Sequence, residues 1–142
     1  MASYVLDSDH ISLFLGNHPQ VCERFAKEWA DSAITIISVQ EIFNGWASRL
    51  SRSGSELETV RVYEKWHVVT EFFKLIEILN YDAAASRVYE ALIQGNPELG
   101  KRRLEKDMRI AAIALSQDIT VVTRNQRDFE PVPGLALENW TV

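Results

Sequence analysis

Ala33-Ile34-Thr35-Ile36-Ile37 is the stretch that decides the fold. It is short, rich in β-branched residues, and apolar on both alternating faces. A strand with one wet face alternates polar and apolar residues, whereas one covered on both sides stays apolar throughout. The run therefore reads as a strand buried inside a parallel sheet. Parallel strands need helical crossovers, so helices are expected on either side of it.

They are there on both sides. Upstream, Tyr4-Val5-Leu6 reads as a short buried strand ending at Asp7, followed by a helix from about Asp9 to Leu15 that Gly16-Asn17 breaks. Pro19 opens a second helix through about Trp29, with Val21, Cys22, Phe25 and Trp29 at helical spacing. Downstream, a helix from about Val39 to Leu50 ends in the polar loop Ser51–Ser55. The longest helix runs from about Glu56 to Phe73 on a stripe of Leu57, Val60, Tyr63, Trp66, Val69 and Phe72. Lys74 to Leu79 reads as a third strand, and Asp82 is placed to cap a helix from Ala83 to about Gln94. A last helix spans about Leu104 to Gln117, the strand Ile119–Thr123 follows, and Leu135-Ala136-Leu137 is a candidate edge strand. Strands alternating with helices predict an α/β sandwich around a mostly parallel sheet.

The 142 residues fit a single domain, 1–142, with no repeats or linkers. Hydrophobic residues make up 46% and charged residues 25%, so a globular core is expected and a disordered chain is excluded. Cys22 is the single cysteine, which rules out an internal disulfide and a cysteine-based zinc site. With no leader-like start and no apolar run of membrane-spanning length, a cytoplasmic protein with no membrane association is expected. A net charge of −5 argues against non-specific coating of nucleic acid. It leaves room for a nuclease whose carboxylates hold cations.

In open α/β sheets, ligands bind beyond the carboxyl ends of the strands. Asp7 and Asp9 follow the first strand, Glu41 follows the second, and Asn125 and Asp128 follow the strand ending at Thr123. Asp107 shares its helix face with Ile110, Ala111, Ala114 and Leu115, so it points inward. A buried carboxylate without compensation is costly. A hard divalent cation such as Mg²⁺, bound through oxygen, would compensate it. Phosphodiester hydrolysis suits such a site, because a metal activates water and neutralises charge developing on phosphate.

Each acid also has an ordinary reading. Ser38 and Glu41 fit an S-x-x-E capping box, which ranks ahead of metal binding when Glu41 is taken alone. Asp7 or Asp9 fits as a helix cap, Asp107 as a first-turn charge on a helix dipole, and Asp128 as a turn residue. His10, His18 and His67 lack zinc-ligand spacing and read as surface or core residues. Trp46, Trp66, Phe72 and Phe73 read as core or dimer interface before base-stacking platform. Lys101-Arg102-Arg103, with Lys106, reads first as a solvated helix start and second as a contact for RNA phosphates.

Taken together, these segments resemble the PIN-domain family, and within it the VapC-type toxins. Tyr4-Val5-Leu6-Asp7-Ser8-Asp9 is similar to the family's opening, with Ser8 and Asp9 where threonine and asparagine are usual. Ser38 to Gly45 resembles the second motif, whose glutamate is Glu41. Asp107 to Leu115 resembles the helix carrying the third acid. Val121-Val122-Thr123-Arg124-Asn125 with Asp128-Phe129 resembles the closing motif, and the similarity reaches Trp140. The resemblance implies a PIN-like three-layer α/β/α sandwich and a homodimer. It also implies Mg²⁺- or Mn²⁺-dependent endoribonuclease activity on RNA, and a cognate antitoxin protein that covers the acidic cleft. It implies a site of Asp7, Glu41, Asp107 and Asn125, with Asp7 and Asp107 on the metal. Asp9, Thr123 and Asp128 are additional candidates, Asp128 as an alternative to Asn125 for the fourth position.

Two rival functions follow from the same residues. Asp7-Ser8-Asp9 after a strand also resembles the nucleophile motif of haloacid-dehalogenase-like phosphatases, but the late strand ends in Thr-Arg-Asn without an acidic pair. A PIN-like fold kept only for binding or dimerisation is the non-enzymatic rival, and the intact acids speak against it.

Overall fold

The computed structural model describes all 142 residues, Met1–Val142. Its centre is a five-stranded sheet of β1 (Tyr4–Leu6), β2 (Ser32–Thr35), β3 (Glu77–Leu79), β4 (Thr120–Val122) and β5 (Leu137–Glu138). The order is β3-β2-β1-β4-β5, and every pairing is parallel. Seven α-helices cover it: α1 (Ser8–Leu15), α2 (Pro19–Glu28), α3 (Ile36–Ser51), α4 (Glu56–Phe73), α5 (Ala83–Gly95), α6 (Glu105–Gln117) and the short α7 (Gln126–Phe129).

The pleat sorts the strand residues into two cores. Val5, Ala33, Leu79 and Val121 face α5 and α6, where they meet Ala85, Met108, Ile110 and Ile113. Leu6, Ile34 and Val122 face the other way, against Ile11, Val21, Phe25, Ile42, Val69 and Phe72 of α1 to α4. Neighbours along a strand thus bury against opposite layers, which is the three-layer sandwich expected.

Four local readings are corrected. The strand expected over Ala33–Ile37 is Ser32–Thr35, and Ile36 and Ile37 open α3 instead. Thr35 ends the strand because its hydroxyl accepts the Ser38 N–H at 3.1 Å, acting as the helix N-cap. β-Branched residues are tolerated there because no preceding helical turn crowds them. Ser38 and Glu41 therefore form no capping box; both lie inside α3.

The expected strand Lys74–Leu79 begins only at Glu77, because Lys74 caps the C-terminus of α4 and Leu75 is exposed. The candidate edge strand Leu135–Leu137 is shifted to Leu137–Glu138 by a turn at Gly134, whose φ is +78°. The stripe on α4 is buried only at its end: Val69 and Phe72 enter the core, whereas Leu57, Val60 and Tyr63 stay exposed. An 18-residue helix is about 27 Å long, and a three-residue β3 offers no sheet under its first turns. No helix is long and apolar enough to cross a membrane.

Candidate active site

With order β3-β2-β1-β4-β5, the chain steps from β1 outward to β2 and β3, then returns past β1 to β4 and β5. The switch lies between β1 and β4, where ligand crevices form in open parallel sheets. Asp7 leaves β1 and Thr123 leaves β4 at this point, and the Thr123 hydroxyl donates to Asp7 Oδ2 at 2.9 Å. Asp7 is also the N-cap of α1, its Oδ1 accepting the Ser8 N–H at 2.8 Å. Capping and site membership are thus one role performed by one buried side chain, 4% exposed.

Glu41 projects from the second turn of α3 toward the start of α1, where the Ser8 hydroxyl lies 3.4 Å from its Oε1. Asp107, in the first turn of α6, accepts from the Asn125 side-chain amide at 3.2 Å. The same amide nitrogen lies 3.1 Å from Asp128 Oδ2, and the Asn125 N–H donates to Thr123 Oγ1 at 2.9 Å. Asn125 therefore ties α6, α7 and the end of β4 together. Asp128 in turn faces Arg103 at 3.4 Å.

Asp9 lies beside this cluster in a different role. Its Oδ1 lies 2.8 Å from His10 Nδ1, and its Oδ2 accepts the Arg124 N–H at 3.0 Å. His10 is fully buried and accepts the Trp140 N–H on Nε2 at 3.1 Å. With Nε2 occupied as an acceptor, Nδ1 carries the proton and donates to Asp9. Asp9 is thereby a strut between α1, the Thr123–Arg124 loop and the C-terminal tail.

The electrostatics separate the acids. Burial, and then the charge of Asp9, raise the Asp7 carboxyl above its ordinary range against the hydrogen bonds from Thr123 and Ser8. Glu41 is raised by burial and then by Asp7, with Lys106 opposing. Asp107 is pushed up to about 7 by burial and by the charges of Asp7, Glu41, Asp128 and Asp9. Asp9 feels burial most, yet His10 and the Arg124 N–H outweigh it and hold the group below the ordinary value. Asp128 is lowered chiefly by Asn125 and also by Arg103. Asp7, Glu41 and Asp107 therefore form a group of carboxyls that oppose one another's ionisation.

No three acidic, histidine or cysteine side chains are arranged to enclose a metal ion as they stand. The donor set nevertheless fits a hard divalent cation, because Asp7, Glu41 and Asp107 offer carboxylate oxygens whose crowding a cation would relieve. The basic segment is divided. Lys101 pairs with Glu98 at 2.7 Å and Arg103 with Asp128, while Arg102 is exposed and makes no ion pair.

Ser8 and His10 belong to the site's framework, although the sequence placed Ser8 only within the opening motif and His10 only among surface or core residues. The Ser8 hydroxyl serves Glu41 across 33 residues and His10 serves Trp140 across 130, so no local pattern signals either role.

No protein-family profile matches the chain. It is 28% identical over 144 residues to the tRNA(fMet)-specific endonuclease VapC of Salmonella typhimurium, covering 99% of each chain. It is 26% identical over 141 residues to ribonuclease VapC2 of Haemophilus influenzae, again covering 99% of each. Among solved structures, a chain of DNA-bound VapBC from Salmonella typhimurium superposes with a TM-score of 0.77 at 28% identity, with 99% of both chains covered. A chain of VapBC2 from Rickettsia felis, bound to a promoter DNA fragment, superposes with a TM-score of 0.75 over 96% of this chain and 98% of that one, at 24% identity.

Proposed function

We propose that this chain, of VapC type in sequence and in fold, is an endoribonuclease and the toxin of a toxin–antitoxin pair. The observation that carries the reading is the meeting of Asp7, Glu41 and Asp107 at the β1/β4 switch point, each raised first by burial and then by a neighbouring carboxylate: Asp9 for Asp7, Asp7 for Glu41, and both Asp7 and Glu41 for Asp107. Structural caps and surface pairs do not ordinarily crowd like charges together, whereas functional sites do.

Mg²⁺ or Mn²⁺ is the cofactor proposed, with Asp7 and Asp107 as the residues that would hold it. Bound there, the ion would lower the pKa of a coordinated water and neutralise charge on the scissile phosphate. Glu41, held by Ser8, is the group placed to accept a proton from the attacking water. Thr123 and Asn125 orient Asp7 and Asp107, and Asp128 acts through Asn125. Asp9 is proposed as a positioning residue that joins α1 to His10 and to the Arg124 N–H. Arg102 is the member of the basic segment free to meet an RNA phosphate.

RNA is the substrate class proposed, and the protein partner is a cognate antitoxin, as in the VapBC complexes whose toxin chains this fold matches. We place the protein in the cytoplasm and take a homodimer as its working state.

The test is cleavage of an RNA pool containing transfer, ribosomal and messenger RNA by purified protein free of antitoxin. It compares Mg²⁺, Mn²⁺ and EDTA, with Asp7→Asn alongside. Cleavage that needs the metal and disappears in Asp7→Asn is expected. Cleavage undiminished in Asp7→Asn, with the same metal dependence, would overturn the site assignment.

A further inference from the structure

A groove leads away from the acids along α3. It begins at Glu41 and Asp9, passes Gly45 and Trp46, and continues past Arg49 to Lys65 on α4. The stretch beside Glu41 has a volume of about 370 Å³ and the adjoining one about 340 Å³. They share Ser12, Ile42, Trp46 and Arg49 as walls, so the two form one continuous channel. Each lies within the range of ligand-sized sites, roughly 300–1,000 Å³.

We infer that this groove receives the single-stranded RNA flanking the cut, with a nucleobase stacked at Trp46 and phosphates facing Arg49 and Lys65. The inference rests on the nuclease reading above and adds to it the path of the substrate.

Three observations carry it. The Arg49 guanidinium lies over the Trp46 ring, 4.7 Å from its centroid, so a base entering the groove would stack on the guanidinium plane or replace it on the ring, leaving the cation to meet a phosphate. Neither Arg49 nor Lys65 forms an ion pair within the protein, although the chain has a net charge of −5 and pairs several of its other basic residues. Unpaired cations lining a groove that begins at a carboxylate cluster complement a phosphate backbone whose reacting phosphate lies at the cluster.

The third observation is Gly45. Mid-helix glycine costs about 1 kcal/mol relative to alanine. Its φ is not positive, and a Cβ added there would meet nothing within 4 Å. Neither backbone nor packing requires glycine at this position. Its effect is to keep the groove open between Glu41 and Arg49.

The test is fluorescence polarisation of a labelled single-stranded oligoribonucleotide binding to the full chain carrying Asp7→Asn, which prevents cleavage. Added Trp46→Ala should weaken binding roughly 5- to 100-fold, the range of a lost base–aromatic stack. Arg49→Gln and Lys65→Gln should each lessen the slope of log affinity against log salt by about 0.7. Gly45→Leu should block the groove and weaken binding while the melting temperature holds or rises, which separates occlusion from misfolding. RNA affinity and salt slope unchanged in all four variants would overturn the groove assignment alone, and would leave the channel to a polypeptide. If the unaltered chain cleaves no RNA and its Asp7→Asn form binds none, the groove assignment falls together with the nuclease reading.

Discussion

Thr123 Oγ1 lies 2.9 Å from Asp7 Oδ2, joining the ends of β4 and β1 across 116 residues of sequence. Both side chains are buried, and the same hydroxyl accepts the Asn125 N–H. One oxygen thus fixes the first acid of the cluster and the backbone of the residue that holds the third.

Thr123→Val keeps the shape and removes the hydroxyl. It leaves a buried carboxylate oxygen and a backbone N–H short of a partner, so a loss of about 1–3 kcal/mol in urea unfolding is expected. Asp7 should rise further above its ordinary range, and RNA cleavage should fall. Thr123→Ser should restore most of both. If valine unfolds at the same urea concentration as the native chain, the hydrogen bond contributes nothing.

His10 tests the framework behind the cluster. It fills buried space, donates to Asp9 and accepts from Trp140. His10→Ala combines a cavity with an orphaned backbone N–H, and a loss of roughly 3 kcal/mol is expected. Amide exchange at Trp140 should accelerate before global unfolding does. Protection at Trp140 equal to that in the native chain would sink this account.

The start of α3 separates two caps on paper. Thr35 accepts the Ser38 N–H, whereas the Ser38 hydroxyl is buried with no hydrogen-bond partner. Thr35→Ala should therefore cost about 1 kcal/mol, as a lost N-cap does. Ser38→Ala should be neutral or stabilising, since it removes an unsatisfied polar atom. The reverse ranking in thermal melts would reinstate the capping box at Ser38 and Glu41.

Asp107 makes a prediction about pH. Its carboxyl is pushed up to about 7, so between its ordinary value and about 7 the folded chain binds a proton that the unfolded chain has released. Stability without metal should accordingly fall as pH rises through that window. Asp107→Asn removes the effect, so in EDTA it should melt higher than the native chain at about pH 8 and converge with it toward about pH 4. Added Mn²⁺ should raise the melting temperature of the native chain and leave the variant little changed. Parallel melting curves for the two chains across this pH range would refute it.

Where sequence reading held and where it failed follows from the range of the forces involved. Asp82 as cap of α5, Pro19 as the first residue of α2, and the span of α4 were all legible, because a cap or a proline acts within three or four residues. Ile36 and Ile37 were misread as strand because β-branched residues suit a strand and the first helical turn alike. The burial of the α4 stripe lay beyond sequence reading for a different reason. Periodicity says which residues share a face, and only the area of the sheet beneath says whether that face is covered.

The acids were legible as candidates one by one, since each follows a strand or sits on an apolar helix face. Ser8 and His10 were not, their partners lying 33 and 130 residues away. Asp9 was legible as an acid near the site but not as a strut, because that role depends on His10 and on the Arg124 N–H.

The sequence by itself determined the alternation of strands and helices, the double burial of β2 and the position of each acid relative to a strand end. These follow from local backbone preference and from the period of apolar residues. Only the tertiary structure decided that β4 returns beside β1, bringing Thr123 onto Asp7 and Asn125 onto Asp107. It also decided that three carboxyls share one field, and that Gly45 and Trp46 open onto a groove leading from them. Burial and charge repulsion depend on distances between chain segments, and those distances exist only once the sheet has assembled.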